Sequence, residues 1–270
     1  GTGTVTGSAG TITVGGTVSV TTLTGGGGAI DIDGDVTGTN FTESGTTTNI
    51  GGGTVNFGTF TANTGEVILD AGGATALTSA GAYNDLTIGG GTTATLQNDA
   101  TVGGTLTVTG ALNMGAHTLT LNNATNIGNV NGGTGTLEID GAVDLTSGGT
   151  EIYDLSITAA GTLTPQDPIV VNRHVTIANG GAYTNNGQPL TLGGGAAAAG
   201  DITDGNGTAQ DLGAVTVNNA GKTLQSDVTM TSLSIPSGGV TVGANTLTVG
   251  GALNVGGGTL TNSNGGGEVS

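Results

Sequence analysis

The feature that most narrows what this chain can fold into is its repetition. Four short runs, Thr54-Val55-Asn56-Phe57, Thr118-Leu119-Thr120-Leu121, Pro189-Leu190-Thr191-Leu192 and Thr246-Leu247-Thr248-Val249, hold one place in a longer pattern. Their second residues lie 64, 71 and 57 positions apart. A turn carrying an aspartate precedes each run, contributing Asp35, Asp99, Asp167 and Asp227. Self-similarity at a loose period marks stacked repeats, because one unit cannot cover its own apolar faces. The expectation is a single continuous solenoid over 1–270, built of four imperfect repeats at about 1–63, 64–133, 134–205 and 206–270.

Composition agrees with a thin core rather than a thick one. Glycine fills 58 positions, while there are three Tyr, three Phe and no Trp. Valine, isoleucine and leucine nevertheless alternate with threonine, as in Thr105-Leu106-Thr107-Val108 and Val215-Thr216-Val217, which a disordered Gly-rich linker has no reason to do. No stretch carries the spacing of an amphipathic helix, and Ala196-Ala197-Ala198-Ala199, bracketed by glycines, reads as a turn. Repeats of 57–72 residues divide into about three rungs of roughly 20 residues each. Two-residue hairpin turns do not recur between the strands. The fold class expected is therefore all-β, a right-handed parallel β-helix with little or no α-helix. Each aspartate before a run reads as a turn residue bonding its own backbone.

Charge and chemistry exclude several functions. Two basic residues, Arg173 and Lys222, face nineteen acidic ones, for a net charge of −17, so nucleic acid is not an expected partner. No apolar run approaches the about 20 residues of a membrane span, and membrane insertion is not expected either. There is no cysteine, hence no disulfide and no thiolate metal site. Beginning at Gly1 without a signal peptide, the chain reads as a processed product or an excised segment. Its ends, Thr2-Gly3-Thr4-Val5 and Gly266-Gly267-Glu268-Val269, cut the pattern at one phase, so both are expected to meet more of the same structure.

The passage Tyr83-Asn84-Asp85-Leu86-Thr87-Ile88, followed by Thr95-Leu96-Gln97-Asn98-Asp99 and Gly104-Thr105-Leu106-Thr107-Val108, resembles the repeats of large secreted bacterial surface proteins. These are the filamentous-haemagglutinin-like adhesins and the passenger regions of autotransporters. Tyr153-Asp154-Leu155-Ser156-Ile157 echoes the same passage, and the first repeat matches it least. The resemblance implies a right-handed parallel β-helix, export to the cell surface, and a role as stalk or fibre in adhesion or matrix.

No catalytic set emerges. His117 and His174 sit in no motif and read as polar corner residues, and the chain is not expected to be an enzyme. Carboxylate pairs at Asp201 with Asp204 and Asp140 with Asp144 lack the aromatic platforms of a glycosidase. No cofactor is expected, with calcium as the one exception: Asp31, Asp33 and Asp35 read as three acids on one strand face and are the candidate ligands. The calcium nonapeptide pattern itself fails, with Ile30 standing where its aspartate belongs. Sequons occur at Asn40, Asn123 and Asn206. Thr-x-Thr motifs suggest ice binding, but their spacing drifts along the sequence, which predicts no flat regular row. The functional expectation is a structural building block of an extracellular filament, self-associating end to end, with an adhesin that binds glycan as the alternative.

Overall fold

In the computed structural model every residue is described except 1–2, 43–44, 62, 79–80, 124, 129 and 263–266. Among the described residues there are thirty-seven short strands and no helix. The strands stack in parallel as a β-solenoid of about 13 turns. The chain divides into two compact units, Gly1–Thr134 and Gly135–Ser270.

The first unit has three faces, and each follows from period-two alternation. On one face Ile12, Ile30, Thr48, Val67, Leu86 and Leu106 lie in register from coil to coil. On the next, Val18 pairs with Val36 and Val36 with Val55. On the third, Val5, Leu23, Phe41 and Phe60 stand above one another. Because side chains alternate sides, each of these columns turns inward while its sequence neighbours face out. Val36, Ile50, Val55, Val67 and Leu69 are all fully buried. Val18–Thr24, Val36–Thr42 and Thr54–Thr61 each run through a corner and serve two faces.

The three phenylalanines of the chain are gathered inside this unit. Phe41 stacks on Phe57 with centroids 5.0 Å apart and meets Phe60 edge-on at 4.8 Å, and Phe60 lies 4.4 Å from Tyr83. Offset and edge-on geometries of this kind suit the ring quadrupole. Gly38 makes the stack fit, since a Cβ there would lie 2.7 Å from the Phe57 ring.

The second unit repeats the scheme with aliphatic columns. Leu137, Leu155, Val175, Ile202 and Leu224 form one. Ile169, Leu190, Val215, Leu233 and Leu253 form another. One coil is longer than its neighbours: strand Leu190–Leu192 is followed by the segment 193–199 before strand Gly200–Asp204 begins. Gly193 opens that segment at φ +96°, a conformation that side-chain-bearing residues rarely adopt.

Candidate functional site

The polar residues singled out from sequence are largely consumed in joining one coil to the next. Asp35 Oδ1 accepts the Thr54 amide at 2.9 Å, Asp99 Oδ1 the Thr118 amide at 2.8 Å, and Asp227 Oδ1 the Thr246 amide at 2.7 Å. These donors are the first residues of the recurrent runs, one coil further along. The expectation that the aspartates bond their own backbone is thus corrected. A strand's opening N–H points along the stacking direction, and the nearest acceptor is the corner carboxylate of the coil before it. The third run explains its own exception. It opens with Pro189, which has no N–H to give. Asp167 accordingly accepts the Ser147 and Gly148 amides of the preceding coil, both at 2.7 Å.

The acids proposed as calcium ligands do not share one strand face. Asp31 lies in strand Ile30–Ile32, Asp33 in the bend after it, and Asp35 at the start of the next face, bonded to Thr54. A corner separates them, because the coil turns at Asp33-Gly34. Among the described residues no group of three or more His, Asp or Glu side chains is arranged to hold a metal ion. Asp201 and Asp204 are likewise engaged separately. Asp201 accepts the Gln225 amide group at 2.9 Å, and the buried Asp204 accepts the Gln210 and Asn206 amides at 2.7 and 3.1 Å. Asp140 takes the Thr158 hydroxyl. His117 lies 3.8 Å from Asp99. Of the sequons, Asn40 is exposed, Asn206 bonds the Gly181 carbonyl, and the middle one includes Ala124, outside the described residues. The matching end phases rest on Thr2 and Gly266, also outside them.

The densest polar cluster is one that sequence reasoning missed: a corner of the second unit that gathers Arg173 and Lys222. Asn172–His174 link strands Ile169–Val171 and Val175–Ile177. The Arg173 guanidinium forms a bidentate pair with Asp154, Nε to Oδ1 at 2.8 Å, and lies 4.6 Å over the Tyr153 ring. Asp154 also accepts the His174 amide at 3.1 Å. The hydrogen bonds that Arg173 donates to Asp154 strengthen its hold on its proton. The imidazole of His174 accepts the Asp201 amide at Nδ1, 3.0 Å away. Glu151 reaches across two coils. Its carboxylate accepts the Gly195 amide at 2.9 Å and the Asn172 side chain at 3.1 Å, and these bonds hold it below its ordinary range.

Lys222 stands at the centre. Its side chain is 1 % exposed, and Nζ donates to the carbonyls of Asn172, Arg173 and Ala198 at 2.8, 2.9 and 2.9 Å. All three ammonium protons are thereby matched, which is the condition for burying such a group. Burial lowers its pKa to about 8, against the opposing pull of Asp154 and Asp201. Gly200, its partner in the coil before, leaves the room required: a Cβ there would sit 2.2 Å from the Arg173 carbonyl oxygen. The signal in the sequence is small. In Gly221-Lys222-Thr223-Leu224 the lysine shares the inward phase of Leu224. The cluster ties the long segment 193–199 to the coils on either side. Compared with known protein families, with characterised proteins and with solved structures, the chain matches none.

Proposed function

We propose that this chain is a structural building block of an extracellular fibre, stalk or surface matrix, with no catalytic role. The observation that carries the reading is the unbroken stacking of in-register apolar columns, such as Leu137, Leu155, Val175, Ile202 and Leu224. Carboxylates bonded between coils favour the same reading, since they serve stacking rather than chemistry. The likeness to secreted bacterial surface repeats favours an extracellular setting.

Electron microscopy and sedimentation of the purified chain test this. Filaments that lengthen with concentration are expected. A chain that stays monomeric at all concentrations would refute the fibre role.

A further inference from the structure

Four Thr-x-Thr or Asn-x-Thr motifs of the first unit, spaced 18, 18 and 19 positions apart in sequence, fall into one register once the coils are stacked. In the first unit Thr4, Thr22, Asn40 and Thr59 occupy one column, and Thr6, Thr24, Thr42 and Thr61 the column beside it. Four successive coils thus present the same outward pair, with only Asn40 departing from threonine. The second column continues upward through the neighbouring strands, where Ala82 pairs with Thr101 and Thr101 with Thr120. The motifs whose spacing drifts, such as Thr11-Ile12-Thr13 and Thr105-Leu106-Thr107, belong to a different face. The expectation of no regular row is corrected by this register.

Several properties of this face point to one kind of partner. It is a lattice: neighbours in a column lie about 4.8 Å apart and the two columns about 6.6 Å, from strand spacing and two residues of rise. It is stiff. The residues between the columns, Leu23, Phe41 and Phe60, are buried against the aromatic stack, and β-branched threonine has few rotamers to lose. It is neutral. None of the strands Thr4–Thr6, Val18–Thr24, Val36–Thr42 and Thr54–Thr61 carries a charged residue, although the chain bears −17. Five of its hydroxyls are also available. Those of Thr22, Thr24, Thr42, Thr59 and Thr61 have no protein partner among the described residues, whereas outward threonines elsewhere, such as Thr87 and Thr109, bond Glu66 and the Ile88 carbonyl. A fixed, uncharged array of hydroxyls and methyls suits a neutral partner that repeats in two dimensions. Sugar polymers would call for exposed aromatic platforms, and the phenylalanines here all face inward.

We infer that this threonine face binds the surface of ice. Waters held on hydroxyls at a constant two-dimensional spacing can join a crystal lattice with little further ordering, and the match improves with each coil that repeats the pair. The inference does not depend on fibre assembly, since the face is a flank of one unit.

The test is partition of the protein into slowly grown ice, with thermal hysteresis measured alongside and a protein of similar size as the non-binding control. The parent chain should enter the ice and shape its crystals. Thr24→Tyr with Thr42→Tyr should reduce partition to the control level while far-ultraviolet circular dichroism stays unchanged. Thr107→Tyr, on the outward row of another face, should leave partition as it was. Should the double variant misfold, Thr22→Lys alone provides the same comparison. Exclusion of the parent chain from ice, equal partition of the folded double variant, or retention on crystalline cellulose or chitin without entry into ice would each overturn the inference.

Discussion

Replacing Val67 or Leu137 with aspartate should unfold the unit that contains it. Val67 is fully buried between Thr48 and Leu86, and Leu137 is 1 % exposed beside Leu155. Neither position offers a cation, and the Thr48 hydroxyl beside Val67 could donate one bond at most, so the carboxylate meets most of the cost of burial uncompensated, on the order of 4 kcal/mol or more. A loss of that size is a large share of the about 5–15 kcal/mol that holds an ordinary domain together. Stacked coils depend on their nearest neighbours, so damage should concentrate in one unit. Urea titration followed by circular dichroism measures it. Val67→Asp should remove β signal from the first unit while the second melts near its parental midpoint, and Leu137→Asp should do the reverse. Parental β content and midpoints in either variant would mean that these columns are not the core.

Lys222→Met should cost the second unit about 2–3 kcal/mol, the scale of leaving buried acceptors without donors. The substitution keeps length and removes charge, which recovers part of the burial penalty. Three carbonyls, at Asn172, Arg173 and Ala198, nevertheless lose their shared donor. The effect also carries a definite pH dependence. The folded lysine has its pKa lowered to about 8 from an ordinary 10.5. Between these values the unfolded chain holds a proton that the folded chain has released, so stability from this group rises with pH across that window. The gap in urea midpoint between parent and Lys222→Met should therefore widen from pH 7 to pH 9.5. A gap that narrows, or a variant as stable as the parent at both values, would contradict the assignment.

The parallel stacking was legible in the alternation of aliphatic residues with threonine and in the aspartate before each run. What escaped notice did so for identifiable reasons. Strand Ala74–Leu77 turns Thr75 inward, where its hydroxyl donates to the Gly52 carbonyl at 3.1 Å, so the apolar alternation is broken in sequence though not in space. Strand Thr47–Ile50 likewise turns the fully buried Thr48 inward, its hydroxyl without a hydrogen-bond partner. Val36–Thr42 contains Gly38 and Asn40, residues that read as a turn but here make room for Phe57 and face solvent. The candidate sites were less legible still, because they join residues from different coils. Glu151 and Gly195 lie 44 positions apart, and Lys222 reaches a carbonyl 50 positions back. Such pairings depend on the exact length of every intervening coil, and the irregular segment 193–199 defeats any fixed period.

Coil-to-coil register is the claim on which the rest stands, and disulfide trapping reads it directly because the chain has no cysteine of its own. Thr191 and Thr216 are partners in adjacent coils although 25 positions apart, and Ser234 lies one coil beyond Thr216 in the same column. Adjacent partners at about 4.8 Å are within reach of a disulfide, whereas two coils, about 9.6 Å, are not. Thr191→Cys with Thr216→Cys should cross-link on mild oxidation, and Thr191→Cys with Ser234→Cys should remain reduced. Failure of the first pair, or equal cross-linking of both, would contradict parallel in-register stacking.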